Sequence, residues 1–379
     1  MAQAPALYYQ LLLFGGLAKF FILRASRRVS SRSGLRGARP IEAFEVLAVG
    51  KIATSLVGVA MAAVFSTAAG AQVVLKASHQ FPGGRGDARD EMIQIIARDV
   101  KAANVGLEIQ VHSGATLFKP NEQWSAMVDG RLDISSFPLD YASGKVPVFG
   151  ATLMPGLVRN HDRALRLNKS PFMQAIKARI ERAGVVVLAD AWLAGAVASK
   201  KSCIRRPEDM KGVKIRSAGP TFAAMWQQAG ASIVSAPSNE VYNALKTGVA
   251  EATDTSSGSF VSFRIHEQVK CLTAPGDNAL WFMYEPVLMS KKSFSRLDRK
   301  QQEVLLRAGR KSQEFFAKEA KGLDDEMVKV FRDNKVEVVT LTPAEYDAWV
   351  KVAEKSSYAE FDKEVPNGKK LIEEALSVK

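Results

Sequence analysis

VVLKASHQFPGGRGDARDEMIQIIARDVKAANVGLEIQV, residues 73–111, changes its hydrophobic period twice. Val73, Val74 and Leu75 form a short apolar run. Between residues 87 and 101, Met92, Ile93, Ile96 and Val100 recur at the spacing of one helical face. Leu107, Ile109 and Val111 then alternate with polar residues, as a half-buried strand does. The stretch therefore predicts a strand, a helix and a second strand. Gly83-Gly84-Arg85-Gly86, between the first two, lacks the G-x-G-x-x-G spacing of a dinucleotide loop and reads as a turn.

The alternation continues outward. A helix is expected over residues 121–129, stopped by Gly130, and a strand over 132–135. Residues 163–182 read as helix and 185–189 as a buried strand. The cycle repeats through 213–215, 221–229 and 232–234. Strands alternating with helices predict βαβ units and largely parallel sheets, an α/β fold. The last third differs. Asp298 with Gln301 forms a capping box, and helical pattern runs on to about Asp333, interrupted only by Gly309 and Gly322. A helix this long exceeds one small lobe and is expected to span two. A strand over 336–340 follows. Thr342-Pro343-Ala344-Glu345 then combines a capping box with proline at the first helical position.

With 379 residues, 47% of them hydrophobic and 24% charged, the chain exceeds the size at which one core usually divides. Residues 72–379 carry 44 Lys and Arg against 37 Asp and Glu, a surplus of +7; residues 1–71 carry 8 against 2, the remaining +6. No basic stripe is interleaved with aromatics, so nucleic acid is not an expected partner. No G-x-S-x-G, Walker loop, H-E-x-x-H or C-x-x-C occurs, and an enzyme is not expected. His79, His112, His161 and His266 are scattered without metal-ligand spacing, so no metal site is expected. Cys203 and Cys271 are the only cysteines; in an exported chain the pair reads as a disulfide, the alternative being two separate buried thiols.

Export is itself written in residues 51–71. Lys51 precedes an apolar run over 52–65, and small residues follow, ending Ala69-Gly70-Ala71. This is a signal peptide with cleavage after Ala71, too short for a transmembrane helix. Residues 1–50 hold a second apolar stretch and an arginine-rich segment, SRRVSSRSGLRGAR. A membrane anchor is one reading; the preferred one is a non-native extension, with translation starting near Val46 or Val49.

Asp209-Met210-Lys211-Gly212-Val213-Lys214-Ile215-Arg216 resembles the substrate-binding subunit of tripartite ATP-independent periplasmic (TRAP) transporters, the DctP type. The resemblance continues through Gly230-Ala231-Ser232, Pro237-Ser238-Asn239-Glu240-Val241-Tyr242 and Ala244-Leu245-Lys246-Thr247-Gly248. It is also carried by 128–134 (VDGRLDI) and 284–292 (YEPVLMSKK). It implies a two-lobed periplasmic solute-binding protein with hinge strands and a long helix across both lobes. The lobes are expected at residues 72–193 plus 282–321, and 194–281 plus 322–379.

The resemblance also implies that Arg216 holds the carboxylate of a small organic acid, a role suited to a planar guanidinium. Thr255, Ser256 and Ser257 fall where the family places a second ligand loop; their hydroxyls either contact the ligand or cap the next helix. Residues 192–197 lack the second arginine that sialic-acid binders carry on the preceding strand, so that ligand class is not expected. Trp192, Trp281, Phe137 and Tyr141 are offered as aromatic pocket walls, each against the commoner reading as core. No cofactor is expected, although a cation bridges the ligand in some relatives. The implied partners are the small and large membrane subunits of the transporter. The alternative is a periplasmic ligand-sensing module for a membrane signalling partner.

Overall fold

The apolar runs assemble into two separate sheets in the computed structural model, which describes residues 72–84 and 86–379. The expected signal peptide and N-terminal extension lie outside the described residues. The strands are β1 (Val73–Ser78), β2 (Leu107–His112), β3 (Ile134–Ser136), β4 (Val185–Ala189), β5 (Trp192–Ser199) and β6 (Lys214–Ser217), followed by β7 (Ser232–Ser235), β8 (Ala252–Ser256), β9 (Cys271–Ala274), β10 (Phe282–Tyr284), β11 (Val287–Ser290) and β12 (Glu337–Thr340). The α-helices are α1 (Ala88–Ala102), α2 (Pro120–Asp129), α3 (His161–Leu167), α4 (Pro171–Arg182), α5 (Pro220–Gln228) and α6 (Val241–Thr247), then α7 (Ser257–Ser262), α8 (Lys291–Ser295), α9 (Arg299–Asp333), α10 (Pro343–Ala353), α11 (Ala359–Glu364) and α12 (Gly368–Ser377).

The first sheet has the order β2-β1-β3-β11-β4, and the second β12-β9-β5-β8-β6-β7 with β10 paired to β5. The sheets are mixed, not largely parallel as the alternation predicted. The antiparallel partners cluster on two strands, β5 and β11. Both are crossing strands. β5 enters the second sheet directly after β4 of the first, and β11 re-enters the first directly after β10 of the second. A strand arriving from the other lobe starts at the cleft and runs away from it. Strands of βαβ units run toward it, so the crossing strands lie antiparallel to them.

Local chemistry explains the helices. Asp87 caps α1, accepting from the backbone N–H of Arg89, and Met92, Ile93, Ile96 and Val100 are buried as one stripe. Burial of such a side chain contributes about 1.5–3 kcal/mol. The helix expected over 163–182 is two helices, because Ser170 caps a new one whose first residue is Pro171.

The capping box of Asp298 and Gln301 starts α9, whose 35 residues rise about 52 Å at 1.5 Å each. Val304, Leu305, Ala308, Phe316 and Ala320 pack in the core against the first sheet, while Met327 and Phe331 belong to a core against the second. Gly309 is required by close approach: a Cβ there would meet the Leu188 carbonyl oxygen at 2.2 Å. The chain finally returns to the first lobe. Phe361, Val365, Ile372 and Ala375 join the core of α4 and β4, whereas residues 322–379 were all expected in the second. A disulfide joins Cys203, in the segment after β5, to Cys271 on β9 of the second sheet. Among the described residues, they and Glu337 form the single group of three potential metal ligands within 4.8 Å, and the disulfide already uses both sulfurs.

Candidate functional site

β6 carries Arg216 from the second sheet to the junction between the lobes. The strand pairs parallel with β7 and β8, which places Arg216 near the carboxyl end of a βαβ strand, where α/β sheets bind ligands. Its guanidinium is fully buried, and each of its three nitrogens makes one hydrogen bond. Nε donates to the Ala236 carbonyl at 2.8 Å, Nη1 to the Asp254 carbonyl at 2.7 Å, and Nη2 to the Tyr141 hydroxyl at 3.3 Å. Tyr141 lies on the 3-10 turn Leu139–Ala142 that follows β3, so the last bond joins the two lobes. The same hydroxyl accepts from the Ser238 backbone N–H at 3.0 Å and lies 3.5 Å from Gln80 Nε2. Donors from both sheets thus converge on one oxygen. A carboxylate oxygen demands the same set.

Asp254 balances the arginine from below. Its carboxylate lies 3.7 Å from Nη1 and accepts from Ser217 Oγ at 2.6 Å, Trp226 Nε1 at 2.7 Å and the Ala218 N–H at 2.9 Å. Burial pushes this carboxyl up, and Arg216 offsets only part of the rise.

The three hydroxyl residues expected in a ligand loop separate. Thr255 is buried on β8 opposite Ala196 of β5, next to Asp254. Ser256 Oγ instead accepts from Arg89 Nη1 at 2.9 Å, and Ser257 Oγ lies within hydrogen-bond reach of the Ala194 carbonyl and of Asp324 of α9, its one proton shared between them. Both are used in holding β8 and α7 to their surroundings. Arg89, on the first turn of α1, was not anticipated. It is a second buried arginine at the lobe junction, donating also to Ser259, Asp87 and Glu285. Burial raises the Glu285 carboxyl despite Arg89 and Arg216 nearby.

Among the aromatics, the core reading holds for two. Trp192 donates to Asn168 Oδ1 at 2.8 Å and packs against Phe282 and Tyr284, while Phe137 packs between Trp124 and Tyr141. Trp192 at the start of β5 and Phe137 just after β3 belong to the same apolar core. Trp281 lies against Gly195, where a Cβ would meet the ring at 2.3 Å, and its buried Nε1 has no hydrogen-bond partner among the described residues. With Phe222, Trp226, Asp254 and Trp349 it encloses a cavity of about 30 Å³, space for little more than a water. The structure therefore brings Arg216 and Tyr141 together, with Thr255 on the adjoining strand, and leaves Trp192, Phe137, Ser256 and Ser257 to other contacts.

The lobes meet without slack at Gly219. Its φ of −161° suits any residue, but a Cβ there would sit 1.4 Å from Asp140 Oδ2, which arrives from the first lobe. Gly219→Ala is expected to hold the cleft partly open. Overpacking costs about 1–3 kcal/mol, or roughly tenfold or more in ligand affinity, with little change in either core. Titration calorimetry beside urea unfolding checks this; equal affinity in the two proteins would show that the contact is not needed for capture.

The family model for bacterial extracellular solute-binding proteins, family 7 (DctP), matches residues 97–364. The chain belongs to this family. A solute-binding protein of Albidiferax ferrireducens is 37% identical over 301 residues, 78% of this chain and 89% of that protein. A TRAP periplasmic solute-binding protein of Rhodoferax ferrireducens, crystallised with malonate, superposes with a TM-score of 0.77 at 36% identity, covering 80% of this chain and 98% of that one. A TRAP solute-binding protein of Sulfurospirillum deleyianum, crystallised with succinate, shares the fold with a TM-score of 0.74 at 24% identity, over 82% and 100% of the two chains. The DctP family comprises binding proteins and is not an enzyme class. The two-lobed fold and the TRAP-type assignment implied by the K-I-R segment are those of these relatives.

Proposed function

We propose that this DctP-family protein captures a small organic acid in the cleft between its lobes, with the acid's carboxylate on Arg216. The observation that carries the reading is the convergence of Arg216 Nη2, the Ser238 N–H and Gln80 Nε2 on one point at the lobe junction, presently taken by the Tyr141 hydroxyl. An incoming carboxylate displaces or joins that hydroxyl and satisfies donors of both lobes at once, which favours the closed form. The malonate-bound relative supports a short mono- or dicarboxylate as the ligand class. In this reading Thr255 contributes a hydroxyl beside Asp254, no bridging cation is involved, and the ligand leaves chemically unchanged. Signal peptidase cleaves after Ala71, the protein works in the periplasm, and the closed form delivers its cargo to the two membrane subunits of a TRAP transporter. The relatives named above are solute-binding proteins, and the ligand-sensing alternative finds no support among them.

A thermal-shift panel tests the ligand class. Malonate, succinate, pyroglutamate, hydroxy acids and uronic acids are added to protein that has been unfolded and refolded to free any retained ligand. An acid present at a hundredfold excess over its Kd stabilises the native state by about 2.7 kcal/mol and raises the melting temperature accordingly. A response confined to one acid class is the expected result. Failure of every acid to shift the folded protein would reject the reading.

A further inference from the structure

Asp140 is an unanticipated residue in an unusual position. It lies on the 3-10 turn Leu139–Ala142 of the first lobe, beside Tyr141, and its carboxylate is pressed against Gly219, which precedes α5 of the second. The side chain is completely buried, and neither carboxylate oxygen has a hydrogen-bond partner among the described residues. Buried carboxylates are ordinarily paired, because an unpaired charge away from water is costly.

We propose that closing the cleft takes up a proton on Asp140, so that ligand capture is linked to pH. Opening the lobes returns the carboxyl to water as an ordinary ionised aspartate; closing them buries it where only the neutral acid is tolerated. Among the described residues the surroundings supply no counter-charge. All three bonds of Arg216 go elsewhere, to Ala236, Asp254 and Tyr141. The packed segments Pro147–Leu153 and β10 contain no charged residue, and α2 leaves Glu122 and Asp129 exposed. The charged group that acts on Asp140 is Asp254 of β8, a like charge. Burial is the main cause and Asp254 adds to it; the Ser143 and Thr221 hydroxyls lie near enough to offset part without meeting hydrogen-bond geometry at the carboxylate, Ser143 donating instead to the Asp140 carbonyl at 2.6 Å, and Asp140 comes up to about 7 from 3.8.

The sign follows. The closed state binds a proton that the open or unfolded state has released, so stability and affinity fall as pH rises from about 4 through about 7, then level off. Between pH 6 and pH 8 affinity falls about tenfold.

The linkage to capture rests on the proposed function, so the experiment has two arms. In the first, without any acid, urea unfolding is followed from pH 4 to 8 for wild type, Asp140→Asn and Asp140→Ala. The expected result is a wild-type folding equilibrium that weakens with rising pH, by up to tenfold per pH unit, relative to both variants. Comparison with the variants removes the parallel contributions of Glu285 and Asp254. Parallel profiles for all three proteins overturn the proposal. In the second arm, malonate is titrated at pH 6 and pH 8. Tenfold weakening in wild type and none in Asp140→Asn supports the linkage, and identical pH dependence in the two overturns it. A wild-type slope in the first arm with no malonate response in the second supports the buried proton and counts against a short dicarboxylate as cargo.

Discussion

Arg216→Ala is expected to abolish organic-acid binding and to lower the protein's own stability by about 3–5 kcal/mol. The two effects have different origins. Binding is lost because the carboxylate meets no guanidinium, and a charge-assisted pair in a closed cleft has no substitute among the remaining donors. Stability is lost because the guanidinium holds the half-buried Ala236 carbonyl and the buried Asp254 carbonyl, and faces the buried Asp254 carboxylate. Asp254 is already raised, so protonation of its carboxyl relieves part of the cost and places the effect toward the lower end. Arg216→Lys separates the two: the charge stays, the planar fork goes, and stability is hurt less than affinity. Denaturant unfolding and calorimetry on the acid found by the panel measure both quantities. Unchanged affinity in Arg216→Ala, with the protein folded, would remove this residue from the ligand's path.

Cys203→Ser lowers stability by about 4 kcal/mol while leaving the affinity of the folded protein unchanged. The disulfide closes a loop of sequence separation 68, and freeing a loop of that length raises the entropy of the unfolded chain by the stated amount. Cys271 stands on β9 between Ser199 of β5 and Glu337 of β12, away from Arg216 and Tyr141. Its loss therefore acts on the second lobe as a whole. Urea midpoints with and without reductant, each read with and without bound acid, check the prediction. A drop in affinity in the folded variant would show that this lobe's shape at the cleft depends on the bond.

Several parts of this architecture were legible in the chain because local physics decides them. The capping boxes at Asp298 and Thr342 mark helix starts that the structure keeps. Gly130 stops α2 with a φ of 80°, where glycine is the natural choice. The segment ending at Arg216 was readable because its motif and strand position agree. Other features were not local. The antiparallel runs of β5 and β11 follow from where the chain crosses, which periodicity does not encode. Ser256 and Ser257 read as hydroxyls of a ligand loop, and what engages them, Arg89 and Asp324, is distant in sequence. Trp192 was drawn into the core by Phe282 and Tyr284. Asp140 carried no signal at all. Its isolation exists only when the two lobes face each other, and Gly219, its neighbour, reads in sequence as an ordinary residue before Pro220.

The helix α9 has a consequence for how the molecule comes apart. One rigid rod supplies Phe316 and Ala320 to one core and Met327 and Phe331 to another. Neither core can melt and leave the rod intact for its neighbour, because each would lose a wall. The lobes are thus joined in denaturation, so a ligand clasped at the cleft lends its binding energy to every part of the fold, including surfaces it never touches.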